Sequence, residues 1–535
     1  MMLLTLAFLS NVSAQRLSIL SMKGINGNKL CMVDKSYYTT EDGGIVIRTG
    51  GFSTVANYDI SCMTTGIVSE VVFQKYDSTG GNLMWEKCFP IATGSPLIQY
   101  LFPTGSAFFE AGREGQNANG VTNVLIRKAD QQDNVIWSKE FFVGGAIDAI
   151  SQTTDGGFII VSSPSDTGGE VYTHYGPPMS FDIFVIKVDS NGNKLWSKVI
   201  GGSADDEALK LIATADGGGI IVGSTFSNDF DFSGSHSIPW MYNDGFVVRL
   251  DGVGNIKWNK CLGGSMKEFF SSACCDNNGG VYVLGSTSSS DYDVTGYIGN
   301  VDYWLVHLDS NGNKLWDKCY GTQQHSEFGQ TATGYEDICR VASGDLYMLL
   351  YANKDFASYT DTSYGGGDAL VLRTDSAGTI TGYRTLGSPK FDGISMIAAL
   401  KAGVIVAGGF YTGTGNTGTM PDTCWPDPTS SNNTNGFLVR LAPWTTAVHE
   451  VAQQGEDLLS ISPNPAGAYI IAEVKNRKKG ILRIVNAAGE VVYVHNCNAG
   501  NTVLDINTGN WPKGLYIAEW TTAQGGIKTQ KVILQ

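Results

Sequence analysis

The chain has 535 residues, enough for more than one domain and for a large buried core. With 67 glycines and only 16% charged residues, it points to many short strands and tight turns rather than long helices. A net charge of −15 disfavours a nucleic-acid partner, and beyond the N-terminus no run approaches the roughly 20 apolar residues that span a membrane.

The N-terminus reads MMLLTLAFLSNVSAQ. A short apolar run ending in Val12-Ser13-Ala14 predicts a signal peptide over residues 1–14, with Gln15 as the first mature residue. It lacks a basic start, which leaves a buried N-terminal strand as the alternative.

A short phrase then recurs: GGNLMWEK at 80–87, DNVIWSK at 133–139, NGNKLWSK at 191–198, GNIKWNK at 254–260 and NGNKLWDK at 311–318, with a worn copy, GTITGYR, at 378–384. A period of this size marks a repeat architecture. Each repeat holds four strand-like pieces. One runs into a Gly turn, such as DGG at 42–44 and 155–157. A β-branched strand follows, such as FIIVSS or GIIVGS. A third strand, such as IFVIKVD or FVVRLD, leads into the Trp phrase. Alternating apolar residues between Gly/Asn/Asp turns predict antiparallel hairpins. The first three pieces occur seven times, but the Trp strand follows only six of them. Residues 26–33, NGNKLCMV, copy the missing phrase, so they are expected to pair with the third strand of the last repeat, at 436–441. The predicted fold is all-β: a seven-bladed β-propeller over residues 15–442, closed by an N-terminal strand. The segments VYVLGSTSSSDYDV (281–294) and GIIVGSTFSNDFDF (219–232) resemble the bacterial beta-propeller repeat family, a resemblance that covers about residues 26–442 and speaks to architecture, not activity.

Residues 443–457 read as a linker. Residues 458–535 carry eight Lys/Arg against four Asp/Glu, a net +4, which leaves −19 on the remainder and suggests a domain boundary. Their strands predict a small β-sandwich. Pro463, Asn464, Pro465, Gly489, Gly514, Tyr516, Lys531 and Val532 fit, in order, the pattern of the type A C-terminal sorting domain of the type IX secretion system in Bacteroidetes-type bacteria, which this segment resembles. That resemblance implies the secretion machinery as a partner and a secreted or outer-membrane-surface location.

The long connections join second to third strands, and in an antiparallel blade they all fall on one face. Function concentrates on such loops. A ligand is therefore expected there, near the central channel: a glycan, a peptide or another protein, contacted by Asp206, Glu268, Glu327, Trp240, Tyr292 and Trp425. The rings could equally pin loops to blade tops. The carboxylates recur where inner strands begin (Asp34, Asp148, Asp206 or Glu207, Glu268, Glu327, Asp392), with none in the second repeat, so they could ring the channel mouth and hold a cation or accept backbone N–H bonds at blade junctions. Asp229/Asp231 and Asp291/Asp293, one repeat apart, could hold calcium or make local turns. No cofactor is otherwise expected, and no HExxH, GxSxG or dinucleotide motif occurs in a fitting context. An extracellular hydrolase or lyase with carboxylates on the long-loop face, or a purely structural surface protein, remain alternatives. Cys88, Cys261 and Cys319 share one repeat position and read as small packed side chains, while Cys62 and Cys424 are the expected disulfide.

Overall fold

The computed structural model describes all residues except 1–14, 17–18, 26–30, 41, 52–69, 79, 81, 92–95, 115–122, 142–144, 166–169, 237, 239–240, 322–335, 353–367, 387–391, 401–402, 412–433, 442–457, 463–468, 477–478, 487–488, 498–499, 523–526 and 535. The chain divides into two compact units, residues 1–442 and 443–535.

In the first unit the repeats become antiparallel sheets. Representative blades are Asp206–Ala213, Gly219–Thr225, Asp244–Leu250 and Ile256–Leu262, then Glu268–Cys275, Val281–Thr287, Asp302–Leu308 and Lys314–Tyr320. Among the described residues seven sheets of this kind form; six run in chain order from the innermost strand outward, and in the last the outermost strand comes from the N-terminus. The two middle strands are buried on both faces, as in Gly219–Thr225 and Asp244–Leu250. Their β-branched and aromatic side chains suit a strand sandwiched between neighbours. The cores therefore lie between blades: Phe109 stacks on Phe158 of the next blade with ring centroids 3.7 Å apart. Ring closure is a core of the same kind, where Ile45, Ile47 and Tyr76 meet Met396, Ile405 and Leu438.

The recurring Trp phrase acts as a joint between blades. Each preceding turn is held by an aspartate: Asp189 Oδ1 accepts from the backbone N–H of Asn191 and Asn193, and Asp251 and Asp309 repeat this. A glycine at positive φ closes the turn, at Gly192, Gly254 and Gly312. The half-buried Trp of one blade lies on the turn glycine of the next: Trp137 on Gly192, Trp196 on Gly254, Trp258 on Gly312, Trp316 on Gly378. Trp196 Nε1–H also donates to the Gly252 carbonyl at 3.0 Å. A Cβ at Gly254 would stand 2.8 Å from the Trp196 ring at φ +88°. Gly254→Val should accordingly destabilise the first unit by about 1–3 kcal/mol, from combined clash and backbone strain. A denaturant melt checks this.

The closing strand is not the one the repeated phrase pointed to. Ile19–Ile25 pairs antiparallel with Thr434–Leu441, from Ile19 opposite Leu441 to Ile25 opposite Gly436. Residues 31–33 pair instead with 49–51, as the start of the first blade's innermost strand, Cys31–Thr39. The expectation is corrected on the described part of the phrase, residues 31–33, while residues 26–30 lie outside the described residues. A two-residue strand, Gln15–Arg16, lies parallel to Ile380–Leu386 at the rim of the sixth sheet.

The second unit is a sandwich of a three-stranded sheet and a four-stranded sheet. Ile470, Val474, Leu482, Ile484, Trp520 and Val532 fill the space between them. Tyr516 is buried there and its hydroxyl donates to the Pro512 carbonyl at 2.6 Å.

Candidate functional site

On the loop side, Asp206 and Glu268 are fully buried, with no surface for a ligand. Asp206 accepts from the Gly202 N–H at 2.7 Å, from Thr225 Oγ1 at 2.5 Å and from Ser227 Oγ at 3.1 Å. Glu268 repeats the set with Gly264 N–H, Thr287 Oγ1 and the Ser288 N–H, at 2.8, 2.8 and 3.1 Å. Both tie the link from the preceding blade to the start of an inner strand. This corrects the expectation that they face a ligand: a carboxylate surrounded by donors at a junction is spent there. Burial nevertheless pushes the Asp206 carboxyl up to about 7, and neighbouring Asp244 up to about 6.

The Asp-x-Asp pairs join the same junctions. Asp229 Oδ1 accepts from Ser203 N–H at 2.7 Å, and Asp291 Oδ1 from Ser265 N–H at 2.9 Å. The Gly201 and Gly263 N–H groups donate to the Asp231 and Asp293 carboxylates, whose own backbone N–H groups donate back to the Gly201 and Gly263 carbonyls. Among the described residues, no group of three or more His, Cys, Asp or Glu side chains is arranged to hold a metal ion. Tyr292, 67% exposed at φ +51°, stacks on His236 of the preceding blade's loop at 4.4 Å. Phe230 meets Tyr175 of the preceding blade's loop in a tilted ring contact at 5.1 Å. Glu327, Trp240 and Trp425 lie outside the described residues, as do Cys62, Cys424, Pro463, Asn464 and Pro465. Cys88 is disulfide-bonded, unlike its repeat partners Cys261 and Cys319, so shared position does not mean shared state.

The innermost strands of all seven sheets line one cavity of about 570 Å³, the central channel. Four residues before four of the inner turns, the repeats place Ala149, Lys210, Ser272 and Asp337 at one register; Ala149, Lys210 and Asp337 line the cavity, and Ser272 is buried. These side chains differ in kind, so the symmetry of the repeats breaks here. Asp337 Oδ1 accepts from Ser272 Oγ at 2.6 Å and lies 3.5 Å from Lys210 Nζ. Its Oδ2 accepts from the Tyr37 hydroxyl at 2.5 Å and from the Ile397 N–H at 2.9 Å. Lys210 Nζ also stands 4.8 Å from the Tyr37 ring centre, a cation–π geometry. Five blades thus meet at one carboxylate. Asp337 is buried, while the Lys210 side chain keeps 29% of its surface.

Tyr38, Tyr100 and Phe102 form an aromatic quarter of the same wall. Tyr38 stacks on Phe102 at 4.2 Å, and its hydroxyl donates to the Leu101 carbonyl. At the channel end where the long loops begin stands Asp148, which accepts from Ser163 Oγ at 2.6 Å. Desolvation by the surrounding protein pushes its carboxyl up to about 7. The channel therefore offers a partly exposed ammonium, a carboxyl that takes up a proton near neutrality, hydroxyls and flat apolar faces. The signal for this site in the sequence was divergence at one register of the repeat, whereas recurrence across repeats marked the junction carboxylates.

Residues 460–535 match the family described as the secretion system C-terminal sorting domain. The chain is also 24% identical over 251 residues to the regulatory protein FlaEY of Caulobacter vibrioides, a match covering 43% of this chain and 26% of that protein. The chain thus spans about a quarter of the curated relative it matches. Among solved structures, the WD40 domain of Neurospora crassa Pan2 aligns with a TM-score of 0.41 at 11% identity, over 82% of this chain and 99% of that one. The β-propeller domain of the Trilobed protease from Pyrococcus furiosus aligns at 0.39 and 10%, over 72% and 91%. At these scores the architecture stands on the sheet order and the shared channel of this chain itself.

Proposed function

We propose that this chain, a β-propeller exported through a C-terminal type IX sorting domain that marks proteins for the cell surface or the extracellular space, binds an extracellular ligand in its central channel. The carrying observation is the channel level where the repeats diverge into Lys210, Ser272 and Asp337, with Tyr37 reaching in from the first blade. A scaffold needs only identical blades; an ammonium held over a tyrosine ring beside an open cavity is a recognition element. An aromatic quarter opposite charged and hydroxyl groups suits a glycan end, or a peptide or protein side chain, with one apolar face and a polar rim. Export begins, in this reading, with removal of residues 1–14 as a signal peptide.

The test is a glycan and peptide array probed with the full chain and with its Lys210→Met variant. Ligands held in the channel should drop out with the variant. Because Asp337 is buried and keeps only its Ser272, Tyr37 and Ile397 donors, the melting temperature of the variant is measured alongside, and array losses are read only at temperatures where it stays folded. Identical array profiles for the two proteins would remove the channel from the account.

A further inference from the structure

The larger sheet of the sorting module has two unlike faces. In spatial order its strands are Val491–Cys497, Gly480–Asn486, Gly514–Thr522 and Ile527–Leu534. Leu482, Ile484, Tyr516, Trp520 and Val532 point inward and are buried. The alternate positions face outward. The register settles which these are: Val485 lies opposite both Val491 and Ile517, Ile517 opposite Lys531, Leu515 opposite Ile533, and Arg483 opposite Val494 and Glu519. Val494, Val491, Leu515 and Ile517 are 55, 52, 40 and 40% exposed. An aliphatic band thus crosses the outer face, where a solvated sheet ordinarily turns polar. The motif positions divide accordingly. Tyr516 and Val532 are core, and Gly489 in a turn and Gly514 at a strand start hold positive φ. Lys531 is displayed at the end of the band.

We infer that this outer face is the surface by which the module docks on its export machinery, and that the receptor presents an apolar groove with a carboxylate rim. A sorting domain works through a partner outside its own chain, and this one carries a net +4 with Arg483 and Lys531 along the band. The aliphatic side chains would supply the desolvation, and the basic ones the steering and register. A second copy is a poorer occupant, since it would bring the same basic rim against itself.

The experiment follows the full chain in cells that carry type IX machinery, with the variants Ile517→Asp, Val494→Asp and Lys531→Glu. Val503→Asp, an exposed position on the other sheet, is the control. Each of the first three should cut surface delivery at least about tenfold, with the protein held in the periplasm, as loss of an interface anchor does. The purified variants should melt like the parent, and Val503→Asp should be delivered normally. Normal delivery of the folded band variants would overturn the inference. So would unchanged delivery with altered self-association, which assigns the face to a second copy, or with an altered propeller melt, which assigns it to the acidic propeller. Removal of residues 458–535 separates the levels: if that shortened chain still reaches the surface, the sorting role fails as a whole, and if it is retained while Ile517→Asp is delivered, only the docking face fails.

Discussion

Deleting residues 19–25 should cost the first unit more stability than any single substitution in it. Those residues supply the outermost strand of the seventh sheet through a ladder to Thr434–Leu441 that runs from Ile19 to Ile25 with one register shift between Ile19 and Ser21. At about 1 kcal/mol per hydrogen bond, a ladder of this length is worth roughly 5 kcal/mol before side-chain burial is added. The loss also frees the edge of a long strand, a template for pairing with other chains. The expected readouts are a lower and broader thermal transition and aggregation at concentrations where the full chain stays dispersed. An unchanged transition and unchanged dispersion would mean that the ring does not depend on this clasp.

Acidity should stabilise the propeller before it destabilises it. Desolvation holds the Asp206 carboxyl up to about 7, and Asp244 up to about 6, against an ordinary value of 3.8. A group whose folded pKa is raised contributes stability that is full below the unfolded value and lost as pH rises through the folded one. Melting temperature should therefore climb as pH falls from 8 to 5. The opposite group is Asp42, Asp155 and Asp216, held down to about 2, chiefly by a Lys75 hydrogen bond, by a Thr153 hydrogen bond, and by Arg249 and Thr214 against the cost of burial. Their contribution is present above 3.8 and is lost as pH falls toward 2. The optimum should lie near pH 4–6, and Asp206→Asn, which mimics the protonated carboxyl, should flatten the climb. A melting temperature that instead falls steadily from pH 8 to 5 would contradict the assignment.

The architecture was legible because it is written redundantly. A Trp phrase, an Asp-held turn and a β-branched strand recur, and each copy answers to the same local physics of turn closure and sandwiched burial. The clasp was misplaced because likeness to the Trp phrase does not fix a strand's place in the sheet: residues 31–33 lie in an inner strand and residues 19–25 supply the clasp. The site was misread for a related reason. Asp206 and Glu268 recur because both accept backbone N–H and hydroxyl hydrogen bonds at equivalent blade junctions, ringed by donors. Lys210, Ser272 and Asp337 do not recur, and only the assembled ring brings them together from three blades. Tyr37 enters their level through a register shift in its strand between Val33 and Tyr37, which no local sequence signal announces.

The central claim is that the ligand sits in the channel and not on the loops. Its most direct test is calorimetric titration of an array-selected ligand into the full chain and into its Lys210→Met and Tyr292→Ala variants. The account predicts one class of sites, weakened at least about tenfold in Lys210→Met, the loss of one charged contact at a partly desolvated site. Affinity in Tyr292→Ala should be unchanged. Full affinity in Lys210→Met together with lost affinity in Tyr292→Ala would place the ligand on the loops and contradict the account.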